Sequence, residues 1–211
     1  MIGKRGKDLT HNAYWISQKL MRMILNKKPL FWLLLSIPAL LMLTGYWRGR
    51  LDSMDMLNPT GEWSVRFMVL AMLIGPLSDL LGRRPWLVWL AQRRRYLGVA
   101  SFGYACLHLL FYIIDMGTIA DMLDEINIAS IWTGWLAIFL MLAPALASNQ
   151  TSMRVLRAGW KRVQQLAYPA ALLTMAHWIL LEWETWPVVV HFGPLIILNI
   201  ARVIVLKRRL K

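Results

Sequence analysis

Two histidines lie inside long apolar stretches of the sequence, where an ionisable side chain is costly to insert into a membrane and by default marks a function. His108 comes thirteen residues after Arg95, and His177 comes fifteen residues after Arg162. If each stretch is a helix that begins at its basic end, a rise of about 1.5 Å per residue puts each imidazole roughly 20 Å along its helix. The spacing therefore predicts two imidazoles at similar depth on two helices.

Small side chains precede each histidine on the same helical face. They are Gly98, Ser101 and Ala105 before His108, and Ala170 and Thr174 before His177. Small residues leave a flat slot beside an imidazole, and a planar ring with a central iron fits such a slot. Two imidazoles at one depth in a helical bundle are the ligand set of a b-type haem held by two histidines. We predict haem b with His108 and His177 as metal ligands, and with Ser101, Ala105 and Thr174 lining its site.

Two alternatives stay open for the histidines. Each imidazole could donate a hydrogen bond to a neighbouring helix and bind nothing. His191, fourteen residues after His177, is a weaker candidate for a ligand, because Glu182, Glu184 and Pro187 come between them and indicate a broken helix. We expect His191 to begin the last apolar stretch, near the outer surface.

Six apolar stretches account for most of this chain of 211 residues, which is 58% hydrophobic. They are 30–47, 63–81, 96–114, 128–147, 163–181 and 188–206. Each is close to the length of about 20 residues that crosses the hydrocarbon core of a bilayer. The predicted fold class is therefore an all-α integral membrane protein with six transmembrane helices in a bundle. Between the first two stretches, the Asn-Pro-Thr-Gly sequence at 58–61 predicts a turn before a new helix.

The net charge of +13 comes from basic clusters between the apolar stretches, not from one soluble face. All but four of the 24 lysines and arginines fall on one side if the N-terminus is cytoplasmic. This is the positive-inside pattern, so we expect both termini in the cytoplasm and the chain in a bacterial inner membrane. The lipid bilayer is thus the first partner that the sequence predicts, and a nucleic-acid partner is not expected.

The N-terminal region differs from the rest of the chain. Residues 11–28 combine apolar and basic side chains at helical spacing, which predicts an amphipathic helix in the interface of an anionic membrane. A cytoplasmic helix packed on a partner protein is the alternative. We therefore divide the chain into a basic tail with an interfacial helix at 1–29 and a six-helix transmembrane domain at 30–211. The single cysteine, Cys106, rules out an intrachain disulfide framework and a cysteine metal cluster.

Three segments carry a resemblance to a known family: TGEWSVRFMVLAMLIGPL at 60–77, RRRYLGVASFGYACLHLLFY at 93–112, and ALASNQTSMRVLRAGWKRVQQLAYPAALLTMAHW at 145–178. They resemble the ferric-reductase-like transmembrane domain, and within it the haem-binding membrane subunits of bacterial periplasmic methionine sulfoxide reductase systems. The resemblance implies that His108 and His177 match positions that ligate b-type haem. It also implies electron transfer from quinol or a flavin reductase to a periplasmic molybdenum enzyme, and it leaves flavin binding by this chain open.

One position departs from the family pattern. Where the family usually reads Gln-Leu-His, this chain reads Gln165-Leu166-Ala167. Ala167 lies ten residues before His177, about 15 Å nearer the cytoplasm along a helix, where a second haem would be held. We therefore expect one haem, in the outer half of the membrane. A single site there cannot relay electrons across about 30 Å of hydrocarbon, so either quinol donates from the periplasmic side or the protein no longer carries electrons.

Two functions follow from these observations. The first is a membrane b-type cytochrome subunit that carries electrons from quinol toward a membrane or periplasmic protein partner, as part of an oxidoreductase rather than a complete enzyme. The alternative is a non-catalytic accessory subunit of a larger respiratory or photosynthetic complex that has lost some or all haem binding. A solute transporter is disfavoured because the apolar stretches contain a single acidic side chain, Asp79, at the cytoplasmic end of 63–81.

Overall fold

The computed structural model describes residues 28–82, 84–181 and 185–209, and within them the chain is helical with no strand. The helices are α1 Lys28–Trp47, α2 Ser53–Leu81, α3 Pro85–Met116, α4 Ile119–Asp124, α5 Ala129–Leu146, α6 Gln150–Leu156, α7 Ala158–Gln165, α8 Ala167–Leu181 and α9 Trp186–Arg209. The predicted interfacial helix at 11–28 lies, apart from its last residue, outside the described residues. Met1–Leu40 and Leu41–Lys211 form two compact units, and the packing described below belongs to the second.

Five of the described helices are long and apolar enough to cross a membrane: α1, α2, α3, α5 and α9. The all-helical class and the multi-pass membrane character thus agree with the sequence analysis. The predicted stretch 163–181 is divided between α7 and α8, and the 15 residues of α8 extend only about 22 Å. Pro169, which has no N–H to donate, lies in the first turn of α8, where the missing donor costs least. The interruption at Leu166 is therefore local to the start of α8.

The predicted turn at 58–61 is wrong, because α2 begins at Ser53 and continues through it. A capping box starts the helix: the Asp55 N–H donates to the Asp52 carboxylate at 2.8 Å, and the Asp52 N–H donates to the Asp55 carboxylate at 3.2 Å. Satisfying these donors stabilises the first turn, and the helix continues through Pro59, which lies in its second turn. As a result Thr60 and Gly61 lie on a helix rather than in an outer loop.

The core of the second unit is made where α2, α5, α8 and α9 meet. Its buried apolar residues are Val65, Met68, Val69, Met72, Met141, Ala170, Ala171, Val188, Phe192 and Leu195. Around this core, α2 packs along α3 and α5 packs along α8. The helices that carry the two histidines of interest, α3 and α8, are therefore each held by one preceding helix of the bundle.

A reciprocal pair of hydrogen bonds joins α2 to α3. The Ser64 hydroxyl donates to the Ser101 carbonyl at 2.9 Å, and the Ser101 hydroxyl donates to the Ser64 carbonyl at 2.8 Å. Both serines are buried. Small hydroxyl residues at such a contact let two helices approach closely and bond across their interface.

We expect Ser64→Ala and Ser101→Ala each to lower the free energy of unfolding by about 0.6 kcal/mol, the average for a hydrogen bond between membrane helices. Unfolding of the purified protein in mixed micelles measures this difference. Ser78→Ala is the matched control, because the Ser78 hydroxyl donates within its own helix to the Ile74 carbonyl at 2.7 Å. A loss at Ser78 equal to that at Ser101 would contradict an interhelical role.

Candidate functional site

The structure brings the two membrane histidines together. His108 lies on α3 and His177 on α8, with ring centroids 6.2 Å apart and ring planes at 85°. Both side chains line one cavity. The two imidazoles are thus at one level of the bundle and face the same space.

Each imidazole is oriented by a backbone carbonyl of the helix packed beside it. The Nδ1 atom of His108 lies 2.9 Å from the Leu57 carbonyl oxygen on α2, and that of His177 lies 2.5 Å from the Ser130 carbonyl oxygen on α5. A carbonyl only accepts, so Nδ1 carries the proton in both rings. In a neutral imidazole this leaves Nε2 with the free lone pair, the form that binds a metal.

Each ring also packs against a glycine. A Cβ atom added at Gly61 would lie 3.2 Å from His108 Nδ1, and one added at Gly134 would lie 2.7 Å from His177 Cε1. The second distance is shorter than any tolerated carbon contact, so only glycine leaves His177 its present place. These two glycines form the slots in which the imidazoles lie.

The rest of the cavity wall is mostly apolar. Of the residues predicted to line a haem site, Ala105 and Thr174 lie in this wall with the histidines. The Thr174 hydroxyl is used within α8, where it donates to the Ala170 carbonyl at 2.9 Å. Ser101 lies instead at a second cavity and in the contact between α2 and α3.

The donor set suits a metal that brings its own equatorial ligands. Among the described residues, no group of three or more histidine, cysteine, aspartate or glutamate side chains is placed to hold a bare metal ion. Two imidazoles with free Nε2 atoms in an apolar cavity match the axial positions of a haem iron, whose four remaining ligands are porphyrin nitrogens. The glycine slots and the orientation of the rings therefore fit a haem held by two histidines.

A second cavity lies nearer the basic loops. Its wall includes Arg94, Arg95, Gly98, Gln164 and Ala167, together with Ser101. No histidine is among the described residues that line it. Ala167 thus lines a space between helices, and its side chain has no atom that can bind a metal.

His191 does not line the cavity of the histidine pair, and both of its ring nitrogens have partners. Its Nδ1 donates to the Pro187 carbonyl at 2.7 Å, and its Nε2 accepts from Arg66 Nε at 3.4 Å. Arg66 is also ion-paired with Glu62, whose carboxylate lies 3.5 Å from His191 Nε2. The imidazole packs on Trp178, with ring centroids 5.2 Å apart. His191 is therefore part of a polar cluster beside the cavity.

Sequence reasoning missed the residues that hold the imidazoles. A dipeptide common to both sites, Thr60-Gly61 on α2 and Thr133-Gly134 on α5, was the available signal. Each pair lies on the helix that packs beside a histidine helix. The first pair, Thr60-Gly61, was missed because residues 58–61 were interpreted as a turn. The second pair, Thr133-Gly134, has no feature of composition that distinguishes it.

A family model for the ferric reductase like transmembrane component matches residues 60–175 of this chain, a range that includes His108 and ends two residues before His177. Two similar proteins carry the name protein-methionine-sulfoxide reductase heme-binding subunit MsrQ. The one from Xanthomonas oryzae pv. oryzae is 35% identical over 143 residues, which cover 66% of this chain and 64% of the relative. The one from Brucella ovis is 32% identical over 130 residues, which cover 60% and 56%. The matched part therefore spans less than two thirds of these relatives' length.

Proposed function

Because this chain belongs to the family of ferric reductase like transmembrane components, we propose that it is a membrane b-type cytochrome subunit. His108 on α3 and His177 on α8 would hold one haem b between them as its iron ligands. The protein passes single electrons toward a protein partner as one subunit of an oxidoreductase. The heme-binding role named for the relatives from Xanthomonas oryzae and Brucella ovis supports the proposal.

The observation that carries this proposal is the separation of 6.2 Å between the two ring centroids. A bond of about 2 Å from a metal to each ligating nitrogen, plus about 1 Å from that nitrogen to its ring centre, puts two axial imidazoles about 6 Å apart. Two rings in direct edge-to-face contact also have centroids about 4.5–7 Å apart. The competing interpretation is therefore a pair of hydrogen-bonded histidines that bind nothing.

In this role the protein supplies ligands, their orientation and a mostly apolar cavity. The Leu57 and Ser130 carbonyls hold the rings of His108 and His177 with Nε2 unprotonated. The mostly apolar wall lowers the polarity around the rings, and the polarity and hydrogen bonds around such ligands tune the reduction potential. Haem b, when bound, supplies the one-electron chemistry.

The finer features of the proposal concern topology and partners. We assign the chain to a bacterial inner membrane, with both termini cytoplasmic, because the basic residues cluster on one side of the predicted spans. That orientation puts the histidine pair in the outer half of the bilayer, within reach of quinol as donor and a periplasmic reductase as acceptor. Residues 1–29 would then lie at the cytoplasmic interface and 30–211 would form the transmembrane domain.

An absorption spectrum of the purified chain tests this function. We expect oxidised and dithionite-reduced samples to give the spectrum of a low-spin b-type cytochrome, because two imidazole ligands make a strong axial field. Protein purified from cells supplied with a haem precursor is the sample, and its optical spectrum is the measurement. A colourless, correctly folded protein that migrates with a large complex on a native gel would favour the accessory-subunit alternative.

A further inference from the structure

Each backbone carbonyl that accepts a histidine Nδ1 proton also lies within hydrogen-bond distance of a threonine hydroxyl on its own helix. The Thr60 hydroxyl lies 3.0 Å from the Leu57 carbonyl oxygen and 2.6 Å from that of Met56, and the Thr133 hydroxyl lies 2.8 Å from the carbonyl oxygens of both Ser130 and Ala129. Each hydroxyl proton is therefore shared between two carbonyls of its own helix. The Leu57 and Ser130 carbonyls are the ones that accept the imidazole Nδ1 protons. Both threonines are buried, with 0% and 4% of their surface exposed.

The arrangement is the same at both sites. In each helix a carbonyl contacts one imidazole of the neighbouring helix, a threonine three residues later lies within hydrogen-bond distance of that carbonyl, and a glycine four residues later faces the ring. On α2 these are Leu57, Thr60 and Gly61; on α5 they are the residues 130, 133 and 134. At both sites the carbonyl that orients the imidazole, the threonine hydroxyl and the glycine that makes room for the ring therefore lie within about one helical turn.

We propose that the Thr60-Gly61 and Thr133-Gly134 pairs are the positioning and tuning elements of the haem ligands, an inference that rests on the proposed function. The glycine makes room for the imidazole. The carbonyl keeps the proton on Nδ1, so that Nε2 keeps the lone pair that would bind the iron. The threonine hydroxyl competes for the carbonyl lone pairs and so weakens the pull of the carbonyl on the Nδ1 proton.

The direction in which the threonine hydroxyl shifts the reduction potential follows from the charge on the imidazole. A stronger acceptor at Nδ1 gives the imidazole more imidazolate character, which stabilises ferric over ferrous iron. The threonine hydroxyl reduces that effect and thereby raises the reduction potential. Removing the hydroxyl while keeping the shape of the side chain should therefore lower the potential.

The first test is a redox titration of the full-length holoprotein with Thr60→Val and Thr133→Val. We expect each change to lower the equilibrium constant for haem reduction about threefold, a shift of about −28 mV at 59 mV per tenfold for one electron. Thr60→Ser and Thr133→Ser keep the hydroxyl and should keep the wild-type potential. Thr44→Val is the matched control, since Thr44 makes the same bond within α1, to the Leu41 carbonyl at 2.8 Å.

The second test uses haem-free, full-length protein labelled with ¹⁵N-histidine. We expect NMR to report His108 and His177 with Nδ1 protonated and Nε2 unprotonated, and the threonine-to-valine changes to move the Nδ1 proton to lower field. This measurement needs no bound haem. A proton on Nε2, or an Nδ1 proton that does not respond to the valine changes, overturns the inference.

The glycine slot has its own variant. Gly134→Ala puts a Cβ 2.7 Å from the His177 ring, and we expect at least a tenfold loss of bound haem, within the range of about 10–100-fold for partners that orient metal ligands. Gly103→Ala, whose added Cβ meets no described atom within 4 Å, should bind haem like wild type. Full haem binding by Gly134→Ala would contradict the role of Gly134 in making room for His177. If this variant fails to fold, the threonine variants decide the inference.

The outcomes separate the two proposals. A wild-type protein without haem overturns the proposed function, and the tuning role falls with it. A wild-type protein with one haem, whose potential is unchanged in Thr60→Val and Thr133→Val or changes equally in Thr44→Val, overturns only the inference made here.

Discussion

Replacing either His108 or His177 by alanine should remove haem from the purified protein, with at least a tenfold fall in haem per chain. Changing a partner of a metal ligand already costs about 10–100-fold in metal affinity, and losing the ligand itself should cost no less. The two rings face one cavity 6.2 Å apart, so neither has a described histidine that could replace it. The measurement is the haem-to-protein ratio from the reduced pyridine complex.

His191→Ala is the matched control for these variants. Both nitrogens of His191 have partners outside the cavity, the Pro187 carbonyl and Arg66, so its removal should leave haem content unchanged. Thermal unfolding of the haem-free variants distinguishes loss of a ligand from loss of the fold. Wild-type haem content in a folded His177→Ala protein would exclude His177 as a ligand.

The wild-type chain should bind one haem, and a second one should require two new ligands. The second cavity is lined by Gly98 on α3 and Ala167 on α8, each ten residues before a proposed ligand and so about 15 Å along the same helix. We expect Gly98→His combined with Ala167→His to raise the haem content toward two per chain. The same pyridine assay, with a redox titration to resolve two potentials, measures this.

The position of the new ligand on α3 provides the control. Gly103→His with Ala167→His adds two imidazoles as well, but Gly103 is an exposed position outside the wall of the second cavity. This variant should stay at one haem per chain. Two haems in the unaltered protein would contradict the role assigned to Ala167.

The helical class and the identity of the histidine pair could be predicted from the sequence, because both depend on local pattern. Apolar stretches of about 20 residues specify membrane helices whatever their neighbours are, and an imidazole within such a stretch stands out. Helix boundaries were less predictable. Residues 58–61 have turn composition, yet the capping box at Asp52 and Asp55 starts the helix before them.

Tertiary structure alone decided which carbonyls and which glycines contact the two imidazole rings. Leu57 and Ser130 act through their carbonyls, which every residue has, so their side-chain types carry no signal. Gly134 matters only because the ring of His177 lies within 2.7 Å of where its Cβ would be. Ser101, by contrast, shares a helical face with His108 in sequence but lies at the other cavity.

The amino-acid sequence by itself determined which segments are apolar and which histidines lie within them, since hydrophobicity and charge act residue by residue. Only the packing of α2 on α3 and of α5 on α8 decided which carbonyl faces each Nδ1 atom and which glycine faces each ring. Those contacts join residues more than forty positions apart, so they depend on the relative placement of whole helices.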